Sequence, residues 1–122
     1  MKKILIVEDE SEVIQMLSST LKQEKFEIIE AKNGAEGLEI ALSSKPDLIL
    51  LDIEMPVMDG ISMLKELKKD NTVKNIPVIV LTNYSDAKNI AEAMENGASG
   101  YLIKVELKNG DLVKNIKNTL SK

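Results

Sequence analysis

Residues 47–60 read DLILLDIEMPVMDG. Between Pro46 and Pro56 lies an unbroken apolar run, Leu48-Ile49-Leu50-Leu51, with no polar residue to make a solvent face. Such a run is the pattern of a strand buried on both sides, as strands are in parallel sheets covered by helices. The strand, read as Asp47–Asp52, ends on Asp52, a carboxylate delivered to the carboxyl end of a core strand. An unpaired buried charge costs on the order of several kcal/mol, so Asp52 needs a partner or a metal from elsewhere in the chain.

The flanking sequence supplies the rest of a repeating pattern. On the N-terminal side, Ile4–Val7 is a short apolar strand ending on Glu8-Asp9-Glu10. Ser11–Lys22 carries Val13, Ile14, Met16, Leu17 and Leu21 at helical spacing. Phe26–Ala31 is a weaker strand, placed nearer an edge by Glu27 and Glu30. Asn33-Gly34 is a turn signal, and Ala35–Leu42 reads as a helix. On the C-terminal side, Met55–Gly60 is a loop in which Asp59-Gly60 forms a turn and helix cap. A helix over Ile61–Lys69 follows. Pro77 opens the strand Val78–Leu81, which ends on Thr82. Asp86–Glu95 is a helix stopped by Asn96-Gly97. Gly100–Ile103 is a fifth strand ending on Lys104, and Asp111 is expected to cap a last helix carrying Leu112, Val113, Ile116 and Leu120. Strict alternation of strand and helix implies an α/β fold, a parallel sheet with helices on both sides, with residues 1–122 as a single domain.

Composition narrows the chemistry. The chain has no cysteine and no histidine, so any metal is held by oxygen, which suits Mg2+, Ca2+ or Mn2+ rather than Zn2+. Its basic residues are all lysine, and the net charge is −4. Without arginine, and acidic overall, the chain is not expected to contact nucleic acid directly. The apolar N-terminal run is too short for a signal peptide or a membrane span, which makes the cytoplasm the expected compartment and rules no membrane partner in.

The strands finish on reactive polar groups: Glu8 and Asp9, Asp52, Thr82 and Lys104. In open parallel sheets, ligands bind beyond the carboxyl ends of the strands where strand order reverses. If the order is 2-1-3-4-5, Glu8, Asp9 and Asp52 converge on one small volume beside Thr82 and Lys104. Clustered carboxylates repel one another, and at least one pKa should rise unless a cation joins them. Mg2+ fits such an oxygen-rich pocket. With the Lys104 ammonium it would neutralise an incoming phosphoryl group, for which Asp52 would be the nucleophile.

From Lys2 to about Leu120 the chain resembles the response-regulator receiver domains of two-component signalling. The resemblance implies a single doubly wound (βα)5, flavodoxin-like domain with a five-stranded parallel sheet of order 2-1-3-4-5. It implies that Glu8 and Asp9 are the acidic pair, Asp52 the phospho-acceptor, Thr82 the hydroxyl that follows the phosphoryl group, Lys104 the family's lysine and Tyr101 the switch aromatic. The metal ligands would be Glu8, Asp9, Asp52 and the backbone carbonyl of Glu54. Glu54 and Tyr84, two residues after Asp52 and Thr82, would line the approach and set the phosphate lifetime. A histidine kinase or phosphotransfer protein would be the donor. A downstream protein would bind the face built by the fourth helix, fifth strand and fifth helix. Such a chain is not a turnover enzyme; it phosphorylates itself from phosphodonors and dephosphorylates itself.

Three departures from the family pattern stand out. Val105 replaces the usual proline after the lysine, so the Lys104–Val105 peptide is expected to be trans. Asn83 stands where a very small residue is usual, either crowding the phosphoryl group or donating to it. Glu8 is one methylene longer than aspartate and would reach the metal through water. Glu10 and Glu12 read as solvated charges at a helix start. Two other functions fit parts of the pattern: a degenerate receiver that only binds partners, and a Mg2+-dependent phosphatase with an aspartyl nucleophile. The absence of an output domain after Leu120 suggests either a single-domain regulator or a piece of a longer chain.

Overall fold

The apolar run at 48–51 becomes the middle of a sheet. The computed structural model describes residues 1–55, 57–83 and 87–121. In chain order the elements are β1 (Lys3–Val7), α1 (Ser11–Gln23), β2 (Glu27–Ala31), α2 (Gly34–Ser44), β3 (Leu48–Asp52) and α3 (Gly60–Lys69). They continue with β4 (Val78–Thr82), α4 (Ala87–Glu95), β5 (Gly100–Ile103), a 3-10 helix (Lys104–Asn109) and α5 (Asp111–Leu120). The five strands form one sheet in the order β2-β1-β3-β4-β5, with every pair parallel. The expected α/β fold and strand order are thus met, and β2 lies at an edge as its glutamates required.

Alternation along each strand divides the core in two. Leu5, Val7, Ile49, Leu51, Val78 and Val80 pack on one face, with Ala41 of α2, Met63, Leu64 and Leu67 of α3, and Ala93 of α4. Ile4, Ile6, Leu48, Leu50, Ile79 and Leu81 pack on the other, with Ile14, Leu17 and Leu21 of α1, and Leu112 and Ile116 of α5. Every residue of β3 and β4 is buried, because helices cover both faces of the central strands. The register pairs Val7 with Leu51, Asp52 with Leu81, and Thr82 with Ile103, so β1, β3, β4 and β5 end together along one rim.

Several boundaries differ from the sequence reading, each for a local reason. Asn33-Gly34 is a helix start: the Asn33 side chain accepts the Glu36 N–H at 2.8 Å, and α2 runs Gly34–Ser44. Asp47 stays outside β3, its carboxylate accepting the Lys3 N–H at 2.7 Å. Phe26 precedes β2 and buries its ring in the core. Asp59 does cap α3, accepting the Ser62 N–H at 2.8 Å. Gly97 (φ 98°) follows α4 as expected, whereas Asp86 lies outside the described residues. Asp111 is not a side-chain cap. It is the first residue of α5, behind Gly110 at φ 77°, and contributes only its charge to the first turn. The 3-10 helix was not expected; within it Leu107 is buried in the core. Among the described residues no peptide bond is cis, so Lys104–Val105 is trans as expected.

Val57 sits at φ 69° and is 84% exposed. A β-branched residue in the left-handed region is strained, and at this exposure it buries nothing in return. Val57→Asn, which tolerates that conformation, is expected to stabilise the fold by about 0.5–1 kcal/mol. Urea denaturation reads this directly; an unchanged or lower midpoint would contradict the strain.

Candidate functional site

The rim where four strands end carries the charged groups. Glu8 follows β1 and is completely buried; Asp52 ends β3 at 2% exposure; Thr82 ends β4 and is buried; Lys104 follows β5. Three of these meet in one ionic cluster. The Lys104 Nζ lies 2.7 Å from Glu8 Oε1 and 3.3 Å from Asp52 Oδ2. The lysine side chain is 7% exposed, so its four-carbon stem is buried and only the ammonium faces the acids. The trans peptide after Lys104 therefore does not prevent its reach.

Backbone groups fix the two acids. Glu8 Oε2 accepts the Glu10 N–H at 3.0 Å, while the buried Oε1 has the Lys104 ion pair at 2.7 Å and no formed hydrogen bond. Asp52 Oδ1 accepts the Glu54 N–H at 3.2 Å, which aims its carboxylate across the rim. Burial pushes the Asp52 carboxyl up to about 7, and the nearby Glu8 charge adds to this. The charge of Lys104 and the hydrogen bonds from Glu54 and Lys104 pull the other way without prevailing. Burial pulls Lys104 down, but its short contact with Glu8 and the charges of Asp52 and Glu8 outweigh burial and hold it above the usual lysine range.

One ammonium thus fails to compensate the acids around it. Carboxylate oxygens of Glu8, Asp9 and Glu10 lie within 4.8 Å of one another, with Asp9 and Glu10 exposed at the mouth. The donor set is all oxygen, and its surplus of negative charge fits a hard divalent cation.

The remaining expected residues are spread around this cluster. Tyr101 is 48% exposed on the edge strand β5, paired in register with Val80. Glu54 is exposed and lines an open groove with Asp59, Lys65, Asn89 and Glu92, between the end of β3, α3 and α4. Asn83 is half-buried directly after Thr82. Tyr84 lies outside the described residues. One residue is corrected: Glu10 is not merely solvated, for its Oε1 lies 3.3 Å from Lys104 Nζ.

Comparison with known proteins gives a consistent picture. The model of the response regulator receiver domain matches residues 4–117. The regulatory protein AtoC of Escherichia coli K12 is 42% identical over 102 residues, which are 84% of this chain and 22% of that protein. The chain therefore spans about a fifth of that relative's length. The chemotaxis protein CheY4 of Vibrio cholerae superposes with a TM-score of 0.89 at 32% identity, covering 97% of this chain and 98% of that one. The BeF3-activated N-terminal receiver domain of Klebsiella pneumoniae RstA superposes with a TM-score of 0.91 at 28% identity, covering 99% and 100%. No helix among the described residues is long and apolar enough to cross a membrane.

Proposed function

The chain belongs to the response regulator receiver family of two-component systems, and on that premise we propose that it is a switch thrown by phosphorylation of Asp52. The observation that carries this reading is the ionic cluster at the strand ends: a buried aspartate held 3.3 Å from a buried lysine, beside acids in surplus. The Asp52 carboxylate attacks the phosphorus of the donor, whose leaving group departs with the bonding electron pair, and an acyl phosphate results. When bound by Asp9, Asp52, the Glu54 backbone carbonyl and, through water, Glu8, a cation such as Mg2+ would supply charge neutralisation to the phosphoryl oxygens. Lys104 exchanges its Asp52 contact for a phosphoryl oxygen, and the Thr82 hydroxyl turns to donate to another.

The donor is a histidine kinase or phosphotransfer protein, or a small phosphodonor, since this chain has no histidine of its own to carry the phosphoryl group. The new charge beside Thr82 and Lys104 favours a state in which Tyr101 moves from its half-exposed place inward. That change alters the surface of α4, β5 and α5 for a downstream partner, by differential stabilisation of two states. Hydrolysis resets the switch at a rate to which Glu54 and Tyr84 contribute. Residues 1–122 act as one cytoplasmic receiver domain that works on its own phosphate rather than turning over a substrate.

Acetyl phosphate with Mg2+ is expected to add a single phosphate to the intact protein and none to Asp52→Ala, read by intact-mass spectrometry. Equal labelling of both proteins would contradict the assignment.

A further inference from the structure

We propose that Glu10 is a latch on Lys104: in the unphosphorylated protein its carboxylate holds the ammonium that a phosphoryl group on Asp52 must recruit. This deepens the receiver reading and rests on it. Three carboxylates grip one ammonium, and they are not equivalent. Glu8, at 2.7 Å, is fully buried, and Asp52, at 3.3 Å, is 3% exposed in its side chain. Glu10, also at 3.3 Å, is 56% exposed in its side chain. Glu8 and Asp52 sit at the ends of β1 and β3 and have no room to leave. Glu10 stands at the N-cap of α1 with no side-chain cap bond to hold it, so its side chain can swing into water at little cost.

The backbone of Glu10 is nevertheless fixed. Its N–H is donated to Glu8 Oε2 at 3.0 Å, and its carbonyl accepts the N–H groups of Val13 and Ile14 at 3.1 Å. The latch is thus an exposed carboxylate on a hydrogen-bonded backbone, 3.3 Å from the ammonium of a lysine whose side chain is 7% exposed. An incoming phosphoryl group brings more negative charge to a site already in surplus. Its arrival is favoured by release of Glu10, the exposed one of the three acids that contact Lys104. Glu10 is therefore a positioning residue that slows phosphorylation by occupying Lys104.

The test compares wild type with Glu10→Gln, Glu10→Asp and Glu12→Gln, the last carrying an exposed charge in the first turn of α1 outside the cluster. At saturating Mg2+ and low salt, Glu10→Gln is expected to incorporate phosphate from acetyl phosphate about two- to fivefold faster than wild type, as suits loss of a solvent-exposed pair. The gain should fade in roughly 0.5 M salt. Glu10→Asp keeps the charge but is one methylene short, so it should follow Glu10→Gln, whereas a general field effect would leave it like wild type. In the phosphate-free protein, the Lys104 ammonium NMR signal should shift and exchange faster in both Glu10 variants and stay unchanged in Glu12→Gln. Wild type labelled on Asp52 with no gain in Glu10→Gln would overturn the latch alone. Wild type that takes no phosphate would overturn the receiver reading, and the latch with it.

Discussion

Lys104→Met is expected to cost the metal-free protein about 3–5 kcal/mol of folding stability near pH 8, the usual penalty for removing one partner of a buried ionic cluster. The lysine lies 2.7 Å from a carboxylate with no exposure and 3.3 Å from a second, nearly buried one. Methionine fills the same channel beside the stem but leaves two acids facing each other without a cation. The penalty should depend on pH in a defined sense. Asp52 has its pKa raised from 3.8 to about 7, so its ionisation is harder in the folded chain than in the unfolded one. Stability from this group is fully present below about pH 4 and is lost as pH rises through about 7. Removing Lys104 takes away contributions that lower the Asp52 pKa, so the loss extends further upward. The deficit of Lys104→Met should shrink at pH 5, where Asp52 is protonated in both proteins, and should also shrink when Mg2+ is added. Urea denaturation with and without chelator at the two pH values measures both. An equal deficit at pH 5 and pH 8, or none, would mean that the ammonium does not hold the acids.

Gly60→Ala is the second large effect. A Cβ at Gly60 would collide with the backbone carbonyl oxygen of Asp52, and would lie 2.8 Å from Ile53 Cα and 3.0 Å from the Asp52 carbonyl carbon. These are backbone atoms and cannot rotate aside as a side chain would. The Gly60 N–H is also donated to the Ile53 carbonyl at 3.0 Å, which draws the start of α3 onto the end of β3. Overpacking of this kind costs about 1–3 kcal/mol. Because the atoms forced to move carry Asp52, phosphate incorporation should also fall by at least roughly tenfold, since misplacement of reacting groups by about 1 Å can cost about a hundredfold. Gly100→Ala is the control, for a Cβ there meets nothing within 4 Å. Matching urea midpoints and phosphorylation rates for the two variants would show that the close approach is not needed.

The legible parts of the fold were those with strong local pattern. Leu48–Leu51 had to be a strand with both faces covered, and it is fully buried. Asp59 announced a cap and makes one. Periodicity does not state which strands are neighbours, and the order β2-β1-β3-β4-β5 came through the family resemblance rather than through spacing. The 3-10 helix over Lys104–Asn109 places Leu107 in the core, and one apolar residue in so short a stretch makes no period. Asp111 looked like a cap because residue type alone cannot reveal that Gly110, at φ 77°, already holds that position.

The site was legible in the same uneven way. Asp52 and Lys104 were marked by standing at strand ends, where a charge on a buried run demands a partner. The pairing of Glu8 with Lys104 was not, because it joins residues from opposite ends of the chain. Glu10 was hidden for that reason too: its contact lies 94 positions away, and nothing near it in sequence distinguishes it from the solvated Glu12.

The central claim is chemical, that the carboxylate of Asp52 becomes an acyl phosphate. Borohydride reduction of the protein after acetyl phosphate and Mg2+, followed by peptide mass mapping, reads that bond where it forms. The account predicts reduction at position 52 and only when phosphodonor is present. Reduction at another acid, or none in protein shown to be folded, would contradict it.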